Sequence, residues 1–193
     1  MAGIPEPEAA AGFPGEPDGL QRLWTPHRFV YVGGEDKPAD STEQSCPFCS
    51  APERSDEDGL IVARGEHAFV ILNLYPYNPG HVLVCPYRHV ADYTDLTAEE
   101  TVEIAQMSQK MMRVIRAVSS PHGFNLGMNQ GAVAGAGIAA HLHQHIVPRW
   151  GGDANFFPII AETKALPLVH GQVQKLYSEE WNRQEPHDGD ADL

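Results

Sequence analysis

The chain has 193 residues, 42% of them hydrophobic, and a formal net charge of −13. That is enough for one ordinary domain with a real core, and the acidic balance argues against a general nucleic-acid binder, which presents a basic patch. No apolar run approaches the ~20 residues of a membrane helix, no basic and apolar signal pattern opens the chain, and three cysteines are too few for a secreted disulfide scaffold; a cytoplasmic protein is expected.

Residues 1–19 repeat Pro, Gly and Glu with little to bury and read as disordered. Leu23, Trp24, Phe29, Val30, Tyr31 and Val32 then give an anchor and a strand. Residues 33–58 are polar, turn-rich and acidic, and order only if something ties them down. Residues 60–63 and 68–72 read as paired strands around Arg64-Gly65-Glu66. A loop broken by Pro76, Pro79 and Gly80 follows, then an apolar strand over 81–85 stopped by Pro86. Thr97-Ala98-Glu99-Glu100 is a capping box, opening a helix that runs to about Ser119 with Val102, Ala105, Met112 and Ile115 in its buried stripe. Pro121 and Gly123 end it, and residues 124–129 form another strand. Residues 168–183 suit a C-terminal helix, against which Gly171 works, and 185–193 are an acidic tail. The order predicts an α+β fold: an antiparallel sheet of about five strands, one long helix and a C-terminal helix, in a single domain over 20–184.

The most informative segment is His141-Leu142-His143-Gln144-His145. On a strand this spacing puts three imidazoles on one face, about 6.5 Å apart, with Leu142 and Ile146 on the other. Three readings stand open: a three-histidine metal site, covalent catalysis by the central histidine, and a polar surface strand. The loop before it, Gly131-Ala132-Val133-Ala134-Gly135-Ala136-Gly137, offers backbone N–H groups without side-chain obstruction, a surface suited to phosphate. Cys46-Pro47-Phe48-Cys49 is half of a zinc site; no thioredoxin-like βαβ pattern surrounds it to favour a redox role. Cys85, in an apolar strand, reads as a core residue. Met107, Met111 and Met112 read as core or dimer filling, and Arg149 and Trp150 as surface residues or contacts to phosphate and base.

His141-Leu142-His143-Gln144-His145-Ile146-Val147 resembles the His-x-His-x-His signature of the histidine-triad family, and Asn78-Pro79-Gly80-His81-Val82-Leu83-Val84-Cys85-Pro86 resembles its earlier strand motif. The similarity covers about residues 59–150, the catalytic core. Leu20-Gln21-Arg22-Leu23-Trp24-Thr25-Pro26 and the stretch from His145 to Asp153 resemble the actinobacterial branch, which includes a diadenosine tetraphosphate phosphorylase.

The resemblance implies a homodimeric enzyme that cleaves dinucleoside polyphosphates through a nucleotidyl-histidine, with inorganic phosphate or water as second acceptor. His143 becomes the nucleophile, His145 a phosphate ligand and His81 a supporting histidine. Asn73 is expected at the ribose, Asn129 at the phosphate, and Gly135 and Gly137 in the phosphate-binding loop. The family and its uridylyltransferase relatives also imply a structural zinc on Cys46, Cys49, His89 and His141. One departure stands out. Where many relatives carry Gln or Ser just before the triad, this chain has Gly137 and Ile138, which leaves the second acceptor open. Two other classes are consistent with the residues: a zinc hydrolase with a catalytic metal on the triad, and a nucleotide-binding regulatory module.

Overall fold

The computed structural model describes residues 42–153 and 168–184. The expectations for 1–41 and 185–193, including the strand near Phe29 and the acidic tail, lie outside the described residues.

Among the described residues, five strands, β1 (Ile61–Arg64), β2 (Ala68–Leu72), β3 (Val82–Pro86), β4 (Gly123–Met128) and β5 (Gln144–Arg149), form one sheet in the order β1-β2-β3-β5-β4. All neighbours are antiparallel. β5 inserts between β3 and β4, so the strand that receives the histidine motif is paired on both sides. Alternation along the strands divides the molecule into two layers. Val70, Val82, Val84 and Ile146 join one buried cluster with the helices. Ile61, Phe69, Ile71, Leu83 and Cys85 join a second on the opposite face, with Cys46, Phe48 and Ala51 of the N-terminal segment. That segment is a short run of turns around α1 (Pro47–Ser50).

The long helix α2 (Ala98–Ser119) begins as its sequence dictates. The Thr97 hydroxyl accepts from the Glu100 N–H and the Glu100 carboxylate accepts from the Thr97 N–H. Glu100 also pairs with Arg88 at 2.7 Å, which holds its carboxyl below the usual range. The expected stripe is corrected in part. Val102 is 54% exposed and Ala105 is exposed, Met112 is half-buried, and Ile115 is buried as expected. The inward face carries Ile104, Met107, Met111, Val114 and Ile115 together with Glu100, Glu103 and Ser108. Counting apolar residues misplaced this face because Glu103 is buried for a polar reason. Its carboxylate accepts from the backbone N–H groups of Glu66, His67 and Ala68 at the β1–β2 turn. Met107 and Met111 are fully buried core, each contributing roughly 1.5–3 kcal/mol of hydrophobic stabilisation.

The C-terminal helix α3 (His170–Arg183) lies against α2 and β1, burying Tyr177 and Trp181. Gln174 and Ser178 donate to the Ile61 and Val62 carbonyls at 2.6 and 2.7 Å, satisfying backbone groups of an edge strand. Gly171 sits in the first turn, where its cost is small. Gly80, directly before His81, has φ +75°, and a Cβ there would collide with the Tyr177 hydroxyl.

Candidate active site and metal centre

The histidine motif enters the sheet later than its alternation predicts. β5 starts at Gln144; His141, Leu142 and His143 precede it, and the Leu142 N–H donates to the Val90 carbonyl. The face is as expected. His145 is paired with Leu83 and Gln144 with Val84, so the imidazole of His145 lies on the side away from α2. Gln144 points the other way and donates to Ser108 of that helix. Leu142 and Ile146 are buried.

The three imidazoles do different things. The fully buried His141 has its Nδ1 3.4 Å from both the Cys46 and Cys49 sulfurs. Its Nε2 lies 2.9 Å from the Pro86 carbonyl. A carbonyl only accepts, so Nε2 carries the proton and Nδ1 presents a lone pair to the cysteines. His143 is arranged the opposite way. Its Nδ1–H donates to the His141 carbonyl at 2.8 Å, which leaves the lone pair on Nε2. His145 completes a relay. The Tyr77 N–H donates to His81 Nδ1 at 3.0 Å, so His81 Nε2 bears the proton and donates to His145 Nδ1 at 2.9 Å. The remaining proton of a neutral His145 is then on Nε2, which is buried without a hydrogen-bond partner among the described residues. Leaving such a donor unmatched costs roughly 1–3 kcal/mol, and an anionic oxygen would satisfy it.

Burial keeps these rings neutral. It pulls His145 down to about 4, with the neighbouring His143 adding to the effect. It lowers His143 as well, against the opposing bond to the His141 carbonyl. A neutral imidazole with its other nitrogen held by an acceptor is a competent nucleophile, and a neutral N–H is a competent donor.

Cys46, Cys49, His89 and His141 place one donor atom each within 4.8 Å of one another. The Cys49 sulfur is 3.2 Å from His89 Nδ1. Burial, followed by the bond to and charge of Cys46, pushes the Cys49 thiol up to about 12, so Cys49 resists ionising without a cation. Two thiols and two neutral imidazoles converging in this way suit a divalent ion that would draw off both thiol protons. The three-histidine metal reading is not what the geometry favours: of the triad, only His141 faces the cysteines.

Asn73 was expected at a ribose. Here its side-chain nitrogen lies 3.2 Å from His81 Nδ1 and its oxygen accepts from the Tyr75 N–H. Asn129 follows β4 directly and is half-buried. In the small-residue loop, Gly131 and Gly135 adopt φ of +82° and +87° around a short 3-10 turn at Ala132–Ala134, conformations that favour glycine. Ile138 packs against the Phe48–Phe69 cluster, which accounts for an apolar residue just before the triad. No described hydrogen bond ties Asn129, Gly135 or Gly137 to the triad. Arg149 is occupied by Asp153 and Asn125, and the Trp150 indole N–H donates to the Ser119 carbonyl. Cys85 is fully buried core.

Two aromatic residues escaped the sequence reading. Phe48, between the two cysteines, packs against His141 and His143 at ring distances of 5.5 and 5.0 Å. Tyr77 lies nearly parallel to His145 at 5.6 Å and against His81 at 4.8 Å. The signal available was position alone: each is embedded in a motif chosen for its neighbours.

The model of the HIT domain matches residues 54–152. AP-4-A phosphorylase of Mycobacterium tuberculosis is 50% identical over 173 residues, 88% of this chain and 89% of that protein. Among solved structures, a Zn-bound histidine triad family protein from Mycobacterium smegmatis superposes with a TM-score of 0.60 at 26% identity, covering 74% of this chain and 96% of that one. A hypothetical histidine triad nucleotide-binding protein from Sulfolobus tokodaii gives 0.60 at 28% identity, covering 77% and 99%. The sheet, the triad and these matches agree: the chain belongs to the histidine-triad (HIT) family.

Proposed function

We propose that this chain is a nucleotidyl-transferring enzyme that splits dinucleoside polyphosphates of the diadenosine tetraphosphate type, with inorganic phosphate as second acceptor. The observation that carries the reading is the opposite protonation of adjacent imidazoles: His143 offers a lone pair at Nε2 while His145 offers a proton at Nε2. A nucleophile beside a donor is the pair that phosphoryl transfer needs. The mycobacterial phosphorylase, half identical over nearly its whole length, supports the substrate class and the phosphate acceptor.

In the first step His143 Nε2 attacks the α-phosphorus, the bond to the bridging oxygen breaks, and ATP leaves from diadenosine tetraphosphate. The imidazolium so formed keeps its Nδ1–H on the His141 carbonyl, which shares the positive charge. His145 Nε2–H steadies the phosphoryl oxygens, and Asn129 with the loop at Gly135 and Gly137 adds neutral donors. In the second step phosphate oxygen attacks the same phosphorus, the P–N bond breaks, and ADP leaves with His143 restored.

Cys46, Cys49, His89 and His141 would hold a structural zinc, which fixes the segment around α1 and braces the motif. The enzyme is read as cytoplasmic; among the described residues no helix is long and apolar enough to cross a membrane. It is also read as a homodimer, with β4 as the natural meeting edge. Among the described residues that strand ends the sheet and exposes Leu126, and an open edge invites pairing.

Product analysis tests the proposal. Turnover of diadenosine tetraphosphate should require phosphate and give ADP plus ATP, and His143→Ala should abolish both turnover and covalent labelling. AMP formed without phosphate would instead mark a hydrolase, for which the apolar Ile138 gives no polar guide to the second acceptor. Substantial activity in His143→Ala would remove the nucleophile assignment, and no turnover at all would favour a regulatory module.

A further inference from the structure

Tyr77 belongs neither to the triad nor to the metal set, yet it touches both rings of the His81–His145 relay. Its ring is inclined 14° to His145 with centroids 5.6 Å apart, and 35° to His81 at 4.8 Å. We propose that Tyr77 is a positioning residue whose ring fixes the plane of the His145 imidazole, so that Nε2–H stays directed at the phosphate oxygens. The inference rests on His145 acting as the phosphate donor.

An imidazole turns about its Cβ–Cγ bond, and one hydrogen bond restrains that turn only at the edge of the ring that makes it. The bond from His81 Nε2 to His145 Nδ1 selects which nitrogen bears the proton and sets this turn from one edge, with the His81 and His143 rings 5.1 and 5.0 Å away. Of the three rings around His145, that of Tyr77 is the one stacked on its face, where it opposes the remaining rotation. Near-parallel aromatic overlap is lost when either ring turns, so it favours the observed plane.

The clamp is itself anchored to the strand that carries His145. Pro76 and Pro79 restrict the backbone on both sides of Tyr77. The Asn78 amide donates to the Pro148 carbonyl of β5 at 3.0 Å and to the Asp153 carboxylate at 2.7 Å. Asp153 in turn accepts from Arg149 and from the Trp150 N–H. Tyr77 and His145 therefore move as parts of one unit. Tyr77 is 37% exposed as a residue, too open for its chief contribution to be core packing.

Tyr77→Leu and Tyr77→Phe separate the alternatives. In Tyr77→Leu, kcat for diadenosine tetraphosphate should fall about tenfold with KM changed less than threefold, and Tyr77→Phe, which keeps the ring, should stay within twofold of wild type. Imidazole relaxation measured by NMR on the ligand-free full chain supplies a readout independent of turnover. The His145 ring should be as rigid as the backbone in wild type and in Tyr77→Phe, and mobile in Tyr77→Leu. An unchanged His145 ring in Tyr77→Leu would overturn the proposal. So would a loss confined to KM, which would mark a substrate contact, or an equal loss in Tyr77→Phe, which would point to the hydroxyl. If the wild-type protein cleaved no dinucleoside polyphosphate, the functional reading would fail while the relaxation result still decided the clamp.

Discussion

The His141 carbonyl accepts the Nδ1–H of His143 at 2.8 Å, while the His141 ring turns toward the Cys46 and Cys49 sulfurs at 3.4 Å. One residue thus belongs to two centres, its side chain to the metal group and its backbone to the nucleophile. Phe48, gripped between the cysteines, packs on both imidazoles and closes the connection through side chains.

From that relationship, Cys46→Ser should lose both metal and rate. A hydroxyl is a poor replacement for a buried thiolate, and weakened second-sphere support in metal sites typically costs about 10–100-fold in affinity or activity. Zinc measured by elemental analysis should fall well below one per chain, the thermal midpoint should drop, and turnover should fall at least tenfold. Unchanged zinc content would remove Cys46 from the ligand set.

The depressed proton affinity of His145 carries a stability consequence. Burial holds the folded ring at about 4, whereas an unfolded histidine titrates near ~6.5. Between these values the unfolded chain binds a proton that the folded ring refuses, so stability is full above about 6.5 and declines as pH falls toward 4. His145→Gln removes that contribution. Urea unfolding across this window should show a shallower pH dependence for the variant, with a slope difference approaching one proton. Parallel slopes would show that His145 is not held neutral by the fold.

Much of this was legible because two kinds of signal are local. The capping box placed the start of α2, and the breaks at Pro76, Pro79, Gly80 and Pro86 framed β3 within a residue. The Cys-x-x-Cys spacing with His89 and His141, drawn from the family likeness, matched the converging donor set. What escaped depends on contacts distant in sequence. Alternation put all three histidines on a strand, but the pull of the cysteines on His141 and the bond from Leu142 to Val90 delay β5 to Gln144. The contact of Asn73 with His81 Nδ1 likewise had no signal in the sequence. Tyr77 and Phe48 carry no pattern of their own; their partners are set by the way the sheet folds the chain back. The inward face of α2 was misjudged because a hydrophobic count cannot anticipate a carboxylate buried to serve a turn.

That carboxylate supports the last prediction. Glu103 is 4% exposed and accepts from the Glu66, His67 and Ala68 N–H groups at 2.8, 2.5 and 2.6 Å. Gly65 makes the approach possible, since a Cβ there would stand 2.5 Å from the Glu103 Oε1. In Glu103→Ala, the exposed position of Glu66 lets water reach its N–H, while the N–H of buried Ala68 is left unmatched, at a cost of roughly 1–3 kcal/mol for that group alone. With the partly buried His67 N–H added, the variant should lose about 2–4 kcal/mol. Glu103→Gln, which retains an acceptor oxygen, should lose less. The urea midpoint should fall with little change in slope, and kcat of the folded variant should stay near wild type, because the turn contributes no group to the triad. A loss under about 1 kcal/mol would mean that water replaces the carboxylate at all three donors, and that Glu103 adds little to the hold of α2 on the sheet.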